Sequence, residues 1–287
     1  MSKPALLVTA ADLAPQALEL LQDFDVVYAG KTPQVADLVA LARRHDPVAI
    51  IVRYGQVPAE VMDAAPALKV ISKHGSGTDT IDKAAAAARG IEVTAAAGAN
   101  AAAVAEQAMA LLLACAKSVV KLNDRMHHGY WDKATHKSVE LAGRTVGVIG
   151  YDPFAQEVPE FVERVELPAL FAQADALSLH CPLTEDNRNL LDAKTLALCK
   201  RGVIVVNTGR GGLIDETALL EALASGQVAM AGLDAFAQEP TPQAHPFFGH
   251  PQLVLSPHIG GVTSDAYVNM GVAAARNVLA VLGKVAA

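Results

Sequence analysis

Short apolar, β-branched runs alternate with Ala- and Leu-rich segments of helical spacing along nearly the whole chain, and this pattern restricts the fold more than any other feature. ALLVTA (5–10), DVVYAG (25–30), VAIIVRYG (48–55), LKVISKHG (68–75) and IEVTAAA (91–97) read as buried strands. Helices between them would start near Pro15, Gln34, Pro58 and Thr80. Apolar strands separated by helices indicate a parallel sheet covered on both faces, because each crossover lays a helix on the sheet.

A long Ala-rich helix, roughly Asn100 to Met126, then breaks the rhythm, followed by the polar stretch HHGYWDKATHKSVELAG (127–143). A second series begins with RTVGVIG (144–150) and continues through DALSLHC (175–181), GVIVVNTG (202–209), VAMAGLDAF (228–236) and QLVLSP (252–257). A last helix spans about Thr263 to Leu282. Two α/β domains follow, each built on a doubly wound parallel sheet of Rossmann-like or flavodoxin-like type. The first covers 1–98, joined by the C-terminal helix within 262–287; the second covers 99–261.

Composition narrows the possible partners. With 52% apolar residues among 287, a sizeable core can be buried, and the net charge of −7 comes from interspersed acids and bases with no basic stripe, which argues against nucleic acid. Cys115, Cys181 and Cys199 are scattered and form no CxxC pair, so a reducing compartment and no metal site are expected. The apolar run before Asp12 is too short for a signal peptide, and that from Ala108 to Ala116 too short to span a bilayer. A soluble, cytoplasmic protein is the simple reading.

In open parallel sheets, ligands bind beyond the carboxyl ends of the strands. Four such ends carry chemistry. In KHGSGTD (73–79), glycines let backbone N–H groups approach an anion, although a plain βα turn reads the same way. In NTGRGGLID (207–215), flanking glycines clear space for Arg210, whose planar guanidinium suits a carboxylate. Glu239 lies in LDAFAQEP and His258 in LSPHIGG; a histidine with a neighbouring carboxylate is a standard proton donor. Each alone is ambiguous. Together, in this order and each past a strand, they are specific.

GLIDETALLEAL (212–223), GLDAFAQEP (232–240) and SPHIGG (256–261) closely resemble the D-isomer-specific 2-hydroxyacid dehydrogenase family, a group that includes phosphoglycerate, glycerate and lactate dehydrogenases. The resemblance extends upstream through LKVISKHGSGTDTID, GANAAAVAEQAMALLLA and WDKATHKSVELAGRTVGVIG, so it covers nearly the whole chain. It implies an oxidoreductase that moves a hydride between NAD(H) and a small D-2-hydroxy or 2-oxo acid. By the same resemblance the first domain handles substrate, the second holds the nucleotide, and the Ala-rich helix helps to build a homodimer. His258 would exchange the proton, Glu239 would raise its pKa, and Arg210 would bind the acid with the backbone around Ser76 and Gly77. Val104, Gly150, Asp152, Thr208, Asp234 and His258 would face the cofactor, with Asp234 near the nicotinamide.

One part of the pattern is broken. A dinucleotide fold needs a strand, a glycine turn, a helix, a second strand, then an acid about twenty residues after the glycines. Here VGVIG runs directly into YDPFAQ, and Asp152 follows Gly150 by two positions. The turn, the helix and most of a strand are missing, roughly twenty residues by ordinary element lengths. Adjacent strand ends lie only about 5 Å apart, so the remaining chain can be joined. Departures at Gln107, Ala95–Ala97 and Thr208-Gly209 leave the Arg–Glu–His set intact. A catalytically silent relative that binds acid or dimerises is the alternative, and an acid-binding enzyme with another cofactor is a third reading.

Overall fold

The computed structural model describes residues 3–150 and 159–283. They form two compact units, one made of Met1–Ala103 with Gly261–Ala287, the other of Val104–Gly260.

In the first unit, β1 (Ala5–Val8), β2 (Asp25–Tyr28), β3 (Ala49–Val52), β4 (Val70–Lys73) and β5 (Glu92–Ala95) form a parallel sheet in the order β2-β1-β3-β4-β5. The winding reverses between β1 and β3, which creates the switch point of a doubly wound sheet. Alternate side chains face opposite ways along a strand. Leu6, Val8 and Ile51 therefore pack under α1 (Pro15–Leu20) and the C-terminal helix, whereas Leu7, Ile50, Val52 and Ile71 pack under α2 (Val35–His45), α3 (Ala59–Asp63) and α4 (Lys83–Ala88). The expected helix starts agree within a residue or so for α1 to α3. The fourth begins at Lys83 rather than near Thr80, because Ile81 bridges to Val57 and Asp82 supplies the cap, its carboxylate accepting the N–H of Ala85.

The Ala-rich stretch is two helices, not one. α5 (Ala101–Lys117) ends where Ser118 turns left-handed at φ 52°, and α6 (Val119–His127) leaves at a 62° bend. β-branched Val119 and Val120 follow at once, so the local preference for helix is weak at the break. No single described helix is long and apolar enough to cross a membrane.

The second unit holds β6 (Val146–Ile149), α7 (Leu167–Gln173), β7 (Ala176–Leu179), α8 (Ala193–Leu198), β8 (Val203–Asn207), α9 (Glu216–Ser225), β9 (Val228–Leu233) and β10 (Leu253–Leu255). Its parallel sheet runs β10-β9-β8-β7-β6. Val203, Val205, Leu177 and Leu179 pack towards α7, α8 and α9, while Ile204, Val206 and Ala176 pack on Leu111, Leu112 and Cys115 of α5. Among the described residues these strands advance in one direction only, so β6 lies at the sheet edge with Val146 and Val148 exposed. The two-sided winding seen in the first sheet is therefore not repeated in the described part of the second. Asp152 and the start of the chain beyond Gly150 lie outside the described residues.

The last helix, α10 (Ser264–Val281), is capped by the Thr263 hydroxyl, which accepts the N–H of Ala266. It belongs to the first unit, where Ala274, Ala275 and Val278 bury against α1 and the sheet.

Candidate active site

The second unit gathers Arg210, Asp234, Glu239 and His258 beyond the carboxyl ends of β8, β9 and β10. Asn207 ends β8 fully buried, its amide donating to the Arg210 carbonyl at 2.9 Å and its side-chain oxygen accepting the Gly209 N–H at 3.0 Å. This closes a tight side-chain turn that presents Arg210. A Cβ on Gly211 would lie 1.8 Å from the Phe236 carbonyl carbon, so only glycine lets the Arg210 turn lie against the loop that follows β9.

That loop carries Glu239. Its Oε1 accepts the Phe236 N–H at 2.9 Å, and its Oε2 faces His258 Nδ1 at 2.6 Å. With Nδ1 engaged, the imidazole Nε2 is the nitrogen left to exchange a proton with a ligand. The Glu239 hydrogen bond is the main cause that raises the His258 pKa; burial pulls it down, the Glu239 charge adds to the rise, Arg210 opposes it and Asp234 adds a little more. For Glu239 burial alone would raise the carboxyl, but the His258 and Phe236 hydrogen bonds, with the charges of His258 and Arg210, bring it below its usual value. Arg210 thus lies near enough to act on both partners. The set offers a cation for an anionic ligand and an acid kept protonated to higher pH.

His258 stands at φ 53°, in the left-handed region that a non-glycine side chain rarely adopts. Asp234 maintains this turn. It is almost fully buried, and its carboxylate accepts the Ser256 hydroxyl at 2.5 Å, the Ile259 N–H at 2.9 Å and the Gly260 N–H at 2.7 Å. Ser256 in turn accepts from Gln107 of α5 at 2.9 Å. The residue assigned by resemblance to the nicotinamide thus already acts as a brace of the His258 turn. Sequence reasoning had no way to pick out Ser256 and Gln107 as its supports, since they stand 149 residues apart and only the fold brings them together.

The remaining expected cofactor contacts also fall in this unit. Thr208 is buried, its hydroxyl 3.3 Å from His180 Nδ1, while His180 Nε2 lies 2.7 Å from the Ser178 hydroxyl. Burial lowers the His180 pKa, so the ring stays neutral and adds no charge to this edge. At Gly150, φ is 99° and a Cβ would sit 2.4 Å from the Cys181 nitrogen; at Gly209 it would meet the Leu179 carbonyl oxygen at 3.2 Å. Glycine is therefore required at Gly150, and at Gly209 the fit around a larger residue would be tight. Val104 opens the unit within α5. These glycine-flanked, uncharged strand ends fit the nicotinamide half of a dinucleotide. Asp152, the expected ribose contact, lies outside the described residues.

Ser76 and Gly77 belong to the first unit, past β4. The Ser76 hydroxyl donates to Asn100 at 3.1 Å, which leaves its backbone N–H, rather than the side chain, as the donor of interest. Among the described residues no group of three or more metal-binding side chains occurs.

The family model described as "D-isomer specific 2-hydroxyacid dehydrogenase, NAD binding domain" matches residues 151–260. The chain is 38% identical to hydroxypyruvate reductase of Thermotoga maritima, over 79% of this chain and 82% of that one. It is 36% identical to D-3-phosphoglycerate dehydrogenase of Mycobacterium bovis over 310 aligned positions, covering 99% of this chain but only 58% of that longer one. Among solved structures, the TT0316 protein of Thermus thermophilus superposes with a TM-score of 0.87 at 33% identity, covering 97% of both chains.

Proposed function

Because the chain belongs to the D-isomer specific 2-hydroxyacid dehydrogenase family, we propose that it interconverts a small 2-oxo acid and its D-2-hydroxy acid, with His258 exchanging the proton and Arg210 holding the carboxylate. The enzyme is a nicotinamide-nucleotide-dependent oxidoreductase. The 2.6 Å contact between His258 Nδ1 and Glu239 is the observation that carries the reading. It holds the ring in orientation and keeps Nε2 protonated, ready to donate to the oxo oxygen as the alcohol forms. In the reverse direction the neutral ring accepts the hydroxyl proton. Arg210 grips the acid and stabilises negative charge on the oxo oxygen, more strongly in the transition state than in the ground state. The nicotinamide, when bound, supplies or takes the hydride. Thr208 and the strand end at Gly150 would line its place, while the Asp234 carboxylate is taken up in bracing the His258 turn.

NAD rather than NADP is the expected nucleotide, supported by Asp152, because an acid placed to accept ribose hydroxyls repels a 2′-phosphate. Ser76 and Gly77 are proposed acid contacts, supported by the open backbone beside Gly75, where φ is 137°. A homodimer is proposed from the exposed apolar residues of α5, α6 and the segment after them, including Met109, Leu113, Val119, Met126 and Trp131, the last 74% exposed. A cytoplasmic setting is supported by the three free cysteines.

A silent, acid-binding relative is the second reading. It is supported by β6 at the edge of its sheet among the described residues, and by an alignment of 310 positions against a chain of 287. One pair of measurements separates the two. An active enzyme oxidises NADH with hydroxypyruvate or glyoxylate and gains thermal stability as NADH is titrated, because ligand bound only to the native state stabilises it. Turnover no faster than the uncatalysed background, with no thermal shift, would leave the silent reading.

A further inference from the structure

Glu216 opens α9, six residues after Arg210, and takes no part in the proton and anion chemistry just described. Its side chain is nevertheless mostly buried and fully used. Oε1 accepts the Ala237 N–H at 3.0 Å, and Oε2 lies 3.2 Å from His245 Nε2. His245 is 13% exposed, its ring edge-on to Phe247 at 4.7 Å between centroids, and its Nδ1 accepts the Phe247 N–H. Phe247 itself is fully buried in the core beneath α9.

Ala237 and His245 flank Glu239 on the same loop. One carboxylate therefore holds both sides of the Glu239 loop to the element that begins just after Arg210. The backbone contact between Gly211 and Phe236 joins the same two segments from another side. We infer that the Glu216–His245 pair is a positioning device for the reaction, fixing the Glu239 loop against the Arg210 turn so that Glu239 meets His258 in register. The inference rests on the reading of Glu239 and His258 as the proton-exchange pair.

The groups that face His258 are Glu239, Arg210 and Asp234. Asp234 is held by its own three hydrogen bonds and Arg210 by the Asn207 turn, so loosening the loop displaces Glu239 most among them. Glu239 is the partner that keeps the ring protonated, and its displacement lets His258 lose its proton at lower pH.

The test compares the purified enzyme with Glu216→Ala, Glu216→Gln and His245→Gln, using NADH and hydroxypyruvate. Glu216→Ala is expected to lower kcat about tenfold or more near neutral pH and to shift the alkaline fall of the reduction profile towards lower pH. The KM for NADH should stay within about twofold. Glu216→Gln keeps an acceptor for the Ala237 N–H but turns its amide N–H towards His245 Nε2, itself the donor because Nδ1 accepts from Phe247. It should therefore recover only part of kcat and of the original profile. If Glu216→Ala does not fold, His245→Gln removes only one side of the tether and should give a smaller shift in the same direction. Folded variants whose pH profiles coincide with that of the parent would overturn the inference. A His258→Asn control distinguishes the two levels: if it too retains activity, the reading of the proton-exchange pair has failed rather than the role of Glu216.

Discussion

Each unit places a histidine just beyond a strand of its parallel sheet, and the two have opposite proton affinities. His74 follows β4 in the first unit, 8% exposed, with Nε2 lacking a hydrogen-bond partner among the described residues. Burial, helped by the charges of Arg53 and Lys73, pushes its pKa down to about 4. His258, beyond β10 in the second unit, is also pulled down by burial, yet its pKa is raised because Glu239 hydrogen-bonds Nδ1. The comparison shows that position at a strand end gives a histidine no role by itself. The carboxylate supplied by another loop raises the proton affinity of one of the two, and the other is a buried ring whose proton affinity is lowered.

The largest effect expected from breaking this contrast comes from the acid itself. His258→Asn removes the proton donor, and reduction should fall by roughly two to four orders of magnitude in kcat, the usual contribution of general acid–base catalysis. Steady-state kinetics at saturating NADH would check it, and a loss of less than about fivefold would exclude His258 from proton transfer. Arg210→Lys comes next. Lysine keeps the charge but not the planar, two-pronged grip. Each charge-assisted hydrogen bond lost is worth about 1.5–3 kcal/mol, so kcat/KM should fall roughly ten- to a hundredfold per bond. Near-parental efficiency would remove Arg210 from the site.

Glu239→Gln sharpens the comparison, because it makes His258 more like His74 without touching the ring. The amide cannot hold the imidazolium as the carboxylate does, so the His258 pKa should fall. Reduction needs the protonated ring, and its rate should therefore decline at lower pH than in the parent, while oxidation, which needs the neutral ring, should gain on the acid side. At neutral pH the loss in reduction should be one to two orders of magnitude, below that of His258→Asn. Full pH profiles in both directions would show it, and profiles that coincide with the parent's would separate Glu239 from the proton path.

The sheets themselves were legible in the sequence, because a strand buried on both faces is written as an unbroken apolar run: AIIV becomes β3 with every residue buried, and VIVVN becomes β8 likewise. Arg210, Glu239 and His258 were legible as a set through their order at successive strand ends. Helix breaks were not, since Ser118 and the two valines after it weaken the helix preference without showing where the chain turns left-handed. The supporting partners were hidden for a related reason. Glu216, in LIDETALLEAL, reads as an ordinary acid in a first helical turn, where it suits the helix dipole anyway. Its contact with His245 joins residues 29 apart and depends on how the loop after β9 folds back.

The smallest expected effect concerns His74 and is one of stability. A histidine with a folded pKa of about 4 and an ordinary value near 6.5 when unfolded binds fewer protons in the native state between those limits. Stability from its neutral burial is thus complete above about pH 6.5 and is lost as the pH falls towards 4. From pH 7 to pH 5 the loss amounts to about 1–2 kcal/mol for a shift of this size. The ring lies close to α10: a Cβ on Gly271 would be 3.6 Å from Nε2, and the Tyr267 ring is centred 5.9 Å away. Charging it therefore strains the packing of α10 on the first sheet. His74→Gln retains a polar group of similar reach that does not titrate. Its melting temperature should be at or below that of the parent at pH 7, but should fall by several degrees less on going to pH 5. An identical drop in both proteins would show that His74 titrates near its ordinary value, and the contrast with His258 would then rest on Glu239 alone.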